Sequence, residues 1–146
     1  SCGRGGLFHP GHFERNRGRM DFIIGGRNQG KLAYGMKQYG ITEDEIFYAE
    51  DADIDGVTGK RCLYGFHLLV KRILSDQRDL HDTLQDIFAK NTFQVIISDE
   101  IGYGLVPVDA FEREYRETVG RCCCKIAGEA EHVIRVVCGI PQEIKV

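Results

Sequence analysis

One segment restricts the fold of this chain more than any other: Asp21-Phe22-Ile23-Ile24-Gly25-Gly26-Arg27-Asn28-Gln29-Gly30-Lys31-Leu32. It reads as a short apolar strand, a glycine-rich turn and the first turn of a helix. A strand that passes directly into a helix belongs to an α/β sheet with crossover connections. The spacing fits the phosphate-binding pattern G-x-x-x-x-G-K-[ST] up to its last position, where this chain has Leu32. Glycines let backbone amides approach an anion closely. The helix start adds unpaired N–H groups and partial positive charge. Gly25, Gly26, Arg27, Asn28, Gln29, Gly30, Lys31 and Leu32 are therefore candidates for holding a nucleotide phosphate, with Lys31 as the mobile, catalytic cation. Leucine offers no hydroxyl to Mg²⁺, so a metal here would need water and carboxylates from elsewhere.

Hydrophobic periodicity extends the α/β reading downstream. Lys31–Tyr39 is predicted to be a helix ending at Gly40. Glu45–Ala49 reads as a second strand, and the acidic, turn-rich stretch Glu50–Lys60 as a loop or an unstructured segment. Leu63 to Leu74 and Asp79 to Lys90 carry helical apolar stripes. Phe93–Ser98 is apolar enough to be a central strand buried on both faces. Val108 to Ala130 is the longest helical pattern, with Phe111, Tyr115, Val119, Cys122 and Ile126 on one stripe. Gly120 interrupts it, which points to a close packing contact. Glu131–Val137 should form another strand, and Ile144–Val146 a short edge strand. The expected fold is a mostly parallel sheet flanked by helices.

The 146 residues suit a single domain with a real core. The net charge of −3 gives no case for nucleic-acid binding, and no apolar run reaches membrane-spanning length. Residues 1–19 differ from the rest: four arginines stand against one acid, glycine is frequent, and no period is visible. They read as a flexible appended leader, with residues 20–146 as one nucleotide-binding domain. Any metal binding by His9 and His12 in the leader would be adventitious. The six cysteines include three in a row and no C-x-x-C pair, which argues for reduced thiols in a cytoplasmic protein rather than a zinc site or disulfide framework.

Open parallel sheets bind ligands beyond the carboxyl ends of their strands. The strand ending at Ser98 is followed by Asp99 and Glu100, which would then face the loop. Both are candidates for holding Mg²⁺, and Glu100 also for serving a substrate hydroxyl. The glycine-rich continuation Ile101-Gly102-Tyr103-Gly104-Leu105-Val106-Pro107 suggests backbone close to a ligand or a neighbouring subunit.

From Val95 to Pro107 the chain resembles the segment ending "NEVGxGIVP" in the adenosylcobinamide kinase/adenosylcobinamide-phosphate guanylyltransferases of cobalamin synthesis. Phe111 to Arg121 is similar to that family's "FRDxxGR", with Arg116, Gly120 and Arg121 on the matching positions. Val136–Ile140 followed by Lys145 resembles its closing "VSGIxxxxK". The loop resembles "GGxxSGKS", with Gly25, Gly26, Gly30 and Lys31 retained.

The resemblance implies a P-loop, RecA-like fold in a homo-oligomer such as a trimer. It implies GTP or ATP as nucleotide, Mg²⁺, and a corrinoid, adenosylcobinamide, as acceptor. It also implies transfer of a phosphoryl group, or of GMP through a guanylylated histidine, with Arg116 and Arg121 as candidates for triphosphate contact. From Met20 the chain is shorter than usual for the family, with the deficit in the middle, where the "HxxxRPxxW" segment with the nucleophilic histidine has no counterpart. His67 is the nearest histidine; lying within an apolar stripe, it reads as structural. Leu32 and the missing segment leave a second reading: a catalytically reduced nucleotide-binding or assembly protein of the same fold.

Overall fold

The computed structural model describes residues 19–101 and 109–145. The leader, apart from Arg19, and the glycine-rich residues 102–108 fall outside them, as does Val146. Among the described residues ten strands and α-helices follow one another. They are β1 (Asp21–Gly25), α1 (Lys31–Tyr39), β2 (Ile46–Tyr48), β3 (Cys62–Tyr64), α2 (Phe66–Ser75), α3 (Leu80–Lys90), β4 (Val95–Asp99), α4 (Ala110–Glu129), β5 (His132–Val137) and β6 (Ile140–Lys145).

The sheet runs β2-β3-β4-β1-β5-β6. β2 to β5 and β1 pair in parallel, and β6 alone is antiparallel. The most apolar strands occupy the middle, as expected for strands covered on both faces. β4 buries Val95, Ile96, Ile97 and Ser98 completely. The two-residue alternation of the strands divides the core. Phe22, Phe47, Leu63, Ile96 and Val133 face α2, α3 and α4 in the larger cluster. Ile23, Ile46, Val95, Ile97 and Ile134 face the other way, where Leu32, Met36 and Tyr39 of α1 pack on them. Local signals set the helix ends. Asp79 and Asp109 cap α3 and α4 by accepting from the amides of Asp82 and Glu112. Gly40 ends α1 at φ 62°.

Four expectations need correction. The stripe from Leu63 is not one helix: Cys62–Tyr64 is strand β3, and Gly65, at φ 90°, turns the chain into α2. A three-residue strand next to a helix is too short to show its own period. Gly120 makes no close packing contact with the described residues, since a Cβ built there meets none of them within 4 Å. Phe111 is 36% exposed at the outer end of its stripe. The edge strand is longer than Ile144–Val146, begins at Ile140 and includes Pro141. Proline is tolerated there because an edge strand has a side without a ladder.

The Glu50–Lys60 stretch is a loop and is held in place. Arg72 donates to the carbonyls of Ala49 and Ala52, both at 2.8 Å, and Ile54 is buried.

From β1 the chain crosses by α1 to the β2 edge. From β4 it crosses by α4, on the opposite face, to β5. Neighbouring strands β1 and β4 therefore send their connections in opposite directions, which opens a crevice at their carboxyl ends.

Candidate functional site

The turn after β1 and the residues after β4 meet in that crevice. The register pairs Gly25 with Asp99, and the Glu100 amide donates to the Gly25 carbonyl at 2.8 Å. Lys31 opens α1 with a side chain only 4% exposed. A buried ammonium needs partners, and Lys31 has two: its Nζ lies 2.7 Å from Asp99 Oδ1 and donates to the Gly26 carbonyl, also at 2.7 Å.

The loop geometry explains its glycines. At Gly25 a Cβ would stand 2.5 Å from the Val136 carbonyl oxygen, so no larger residue fits between β1 and β5. Gly30 has φ 87° and caps α1 without any side-chain hydrogen bond. Asn28 also has positive φ, a conformation that asparagine tolerates better than most residues. Gln29 ties the loop to the β5–β6 turn. Its side-chain oxygen accepts from the Cys138 amide at 2.7 Å, and its carbonyl accepts from the Gly139 amide at 2.8 Å. Leu32 packs on the apolar cluster under α1, so its position serves the core.

Asp99 is the junction of the site. Its Oδ2 lies 3.3 Å from His67 Nε2, and its amide donates to His67 Nδ1 at 3.2 Å. The amide contact makes Nδ1 an acceptor and places the proton on Nε2, facing the carboxylate. Burial lowers the pKa of His67, with Lys31 and Lys71 adding to the effect and Asp99 opposing it. The sequence reads His67 as structural and does not show its partner: Gly65 starts α2 so that the first turn delivers the imidazole to Asp99. Missing the β3–α2 break hid this. A strand, a glycine and a histidine in the next helical turn are the signal that could have revealed it.

Two cavities flank Asp99. One, of about 390 Å³, is lined by Arg27, Asn28, Glu50, Tyr64 and His67. The other, of about 340 Å³, lies between α4 and the sheet. A third, of about 550 Å³, lies at the opposite ends of the strands beside Asp21 and His132. There both Asp21 oxygens are already engaged, by the Tyr39 hydroxyl and the His132 amide.

The other candidates separate. Glu100 turns to Arg135, with Nε–Oε1 at 2.7 Å and Nη2–Oε2 at 3.1 Å. Arg116 lines the α4 cavity and pairs with Glu112 at 3.4 Å. Arg121 is exposed on α4 and lines neither cavity beside Asp99. Among the described residues no group of three His, Cys, Asp or Glu side chains could hold a metal by itself. Cys62, Cys122, Cys123 and Cys138 are free thiols. Cys124 is disulfide-bonded, which departs from the expectation of thiols throughout.

Residues 62–144 match the family model described as cobinamide kinase / cobinamide phosphate guanyltransferase. The chain belongs to this family. The family match begins at β3 and takes in His67, Asp99, Glu100 and Arg116. It therefore reaches further into the middle of the chain than the resemblance read from motifs, while the glycine loop lies ahead of it. The six-stranded, mostly parallel sheet flanked by helices agrees with the P-loop-like fold of the family. No curated protein matches the chain. No helix among the described residues is long and apolar enough to cross a membrane.

Proposed function

We propose that this protein is a cobinamide kinase that binds GTP or ATP in the Gly25–Lys31 loop and transfers a phosphoryl group to a corrinoid hydroxyl. The observation that carries this reading is the Lys31–Asp99 pair at 2.7 Å, which joins a glycine loop to a strand-end carboxylate in one crevice. The α1 amides and Lys31 would take the phosphates, releasing Asp99 from the ammonium. Phosphoryl transfer asks the protein mainly for alignment and charge stabilisation. Those are the services this constellation offers.

Mg²⁺ fits the site only as a partly hydrated ion. Asp99 would hold it together with phosphate oxygens, since Leu32 brings no hydroxyl and Glu100 is paired with Arg135. There it would neutralise phosphate charge. The guanylyl half-reaction fits the geometry less well, because both His67 nitrogens face Asp99 and neither is offered to a phosphorus atom.

Incubation with cobinamide, Mg²⁺ and GTP labelled at either the α or the γ phosphorus tests this. Label from the γ position on the corrinoid is the expected result. Label from the α position, with an acid-labile protein adduct, would replace the kinase reading by guanylyl transfer. Binding of GTP without turnover would favour the second reading, a nucleotide-binding or assembly protein, which Leu32 in the apolar cluster supports.

A further inference from the structure

We infer that the cavity between α4 and the sheet is the acceptor subsite, receiving an aliphatic arm whose hydroxyl lies beside Asp99. The inference rests on the loop being the nucleotide site and adds where the second substrate sits.

The cavity of about 340 Å³ is polar at one end and apolar at the other. Asp99 and Glu100 close it at the carboxyl end of β4. Arg116, in the second turn of α4, stands at that same end. α4 then runs back along the sheet, and the walls become Val119, Ala127, Phe22 and Val133. Such a channel suits a ligand with a hydrocarbon stem and one polar terminus. Its breadth is that of a side arm, so the bulk of a macrocycle would stay outside. Asp99 also lines the cavity on the His67 side and pairs with Lys31. A hydroxyl held at the polar end would thus share its carboxylate with the lysine that faces the phosphates.

Gly120 supplies an independent observation. Mid-helix glycine is unfavourable relative to alanine, and no neighbour among the described residues requires it: a Cβ there meets none of them within 4 Å. Gly120 lines this cavity. A larger side chain at this position would enter the cavity.

The test is Gly120→Leu, read by titration with cobinamide followed by visible absorbance, and by GTP calorimetry on the same protein. The expected result is cobinamide affinity weakened about tenfold or more, with GTP affinity equal to that of the parent. Cobinamide bound as tightly as by the parent overturns the inference. If Gly120→Leu lacks a cooperative thermal transition, Gly120→Ala is measured instead. A several-fold loss of cobinamide affinity then supports the subsite, and parent-like affinity overturns it. A parent that binds GTP but no cobinamide overturns the subsite and spares the loop. A parent that binds cobinamide but no GTP overturns the loop reading, and the Gly120 variants still decide the subsite.

Discussion

Lys31 Nζ, at the start of α1, lies 2.7 Å from Oδ1 of Asp99, at the end of β4, and the lysine side chain is only 4% exposed. In the proposed function this ammonium faces phosphate, and in the structure a protein carboxylate holds that place. Asp99, 26% exposed, can still exchange its partner for solvent or ligand.

Removing either charge should have different consequences. Asp99→Asn keeps an oxygen that can accept from Lys31 but leaves the buried ammonium without its counter-charge, and should lower stability by about 1–3 kcal/mol, below the range for fully buried pairs because Asp99 is partly solvated. Chemical denaturation measures this as a shift in midpoint. Lys31→Met should weaken GTP and ATP binding by about 100-fold, on the order of one or two charged hydrogen bonds. Calorimetry that finds undiminished affinity would remove the loop from the nucleotide site.

Two glycines should respond oppositely to the same substitution. Gly25→Ala drives a methyl against the Val136 carbonyl at 2.5 Å, and overpacking of this kind costs about 1–3 kcal/mol. Gly120→Ala places its methyl in open space within a helix and should stabilise by about 0.5–1 kcal/mol. Thermal melts of the two variants should therefore move in opposite directions from the parent.

His67→Ala should leave the fold intact and loosen Asp99, which loses an imidazole at 3.3 Å. We expect maximal phosphoryl-transfer rate to fall about tenfold with little change in nucleotide affinity. Single-turnover measurements separate the two. An equal fall in affinity would place His67 against the nucleotide itself.

Thiol chemistry should distinguish Cys138 from the buried cysteines. Burial pushes the thiols of Cys62 and Cys122 up to about 12 and that of Cys123 to about 11. Cys138 is exposed. At pH 8 an alkylating reagent should modify Cys138 quickly and the buried Cys62 and Cys122 only on unfolding, as peptide mapping will show. The linkage has a definite sign. These folded pKa values lie above the ordinary thiol value of 9.0, so the unfolded chain loses its protons first. The associated stability is complete below about pH 9 and declines as pH rises towards about 12. The melting temperature should fall across that window, and a flat profile would contradict the burial of these groups.

Much of the architecture was legible because its signals are local. β1, the loop, α1 and its Gly40 stop are written in consecutive residues, and the buried β4 strand announces itself as an unbroken apolar run. β3 was not legible, since three residues cannot display a period and the apolar stripe of α2 absorbed them. Asp99 could be placed near Lys31 from the rule about strand ends. Its division of labour with Glu100 could not, because it depends on Arg135 of β5, which touches Glu100 only once the sheet is assembled.

The amino-acid order by itself determined that a strand would turn on glycines into a helix beginning with lysine, and that an apolar strand would end in two acids. Backbone conformational preference and side-chain periodicity suffice for that, since both act between near neighbours. Only the tertiary structure decided that His67 joins Asp99, that Glu100 turns to Arg135, and that Gly120 lines a cavity. These outcomes depend on distances between segments far apart in the chain, which are set when the strands pair and the helices settle on the sheet.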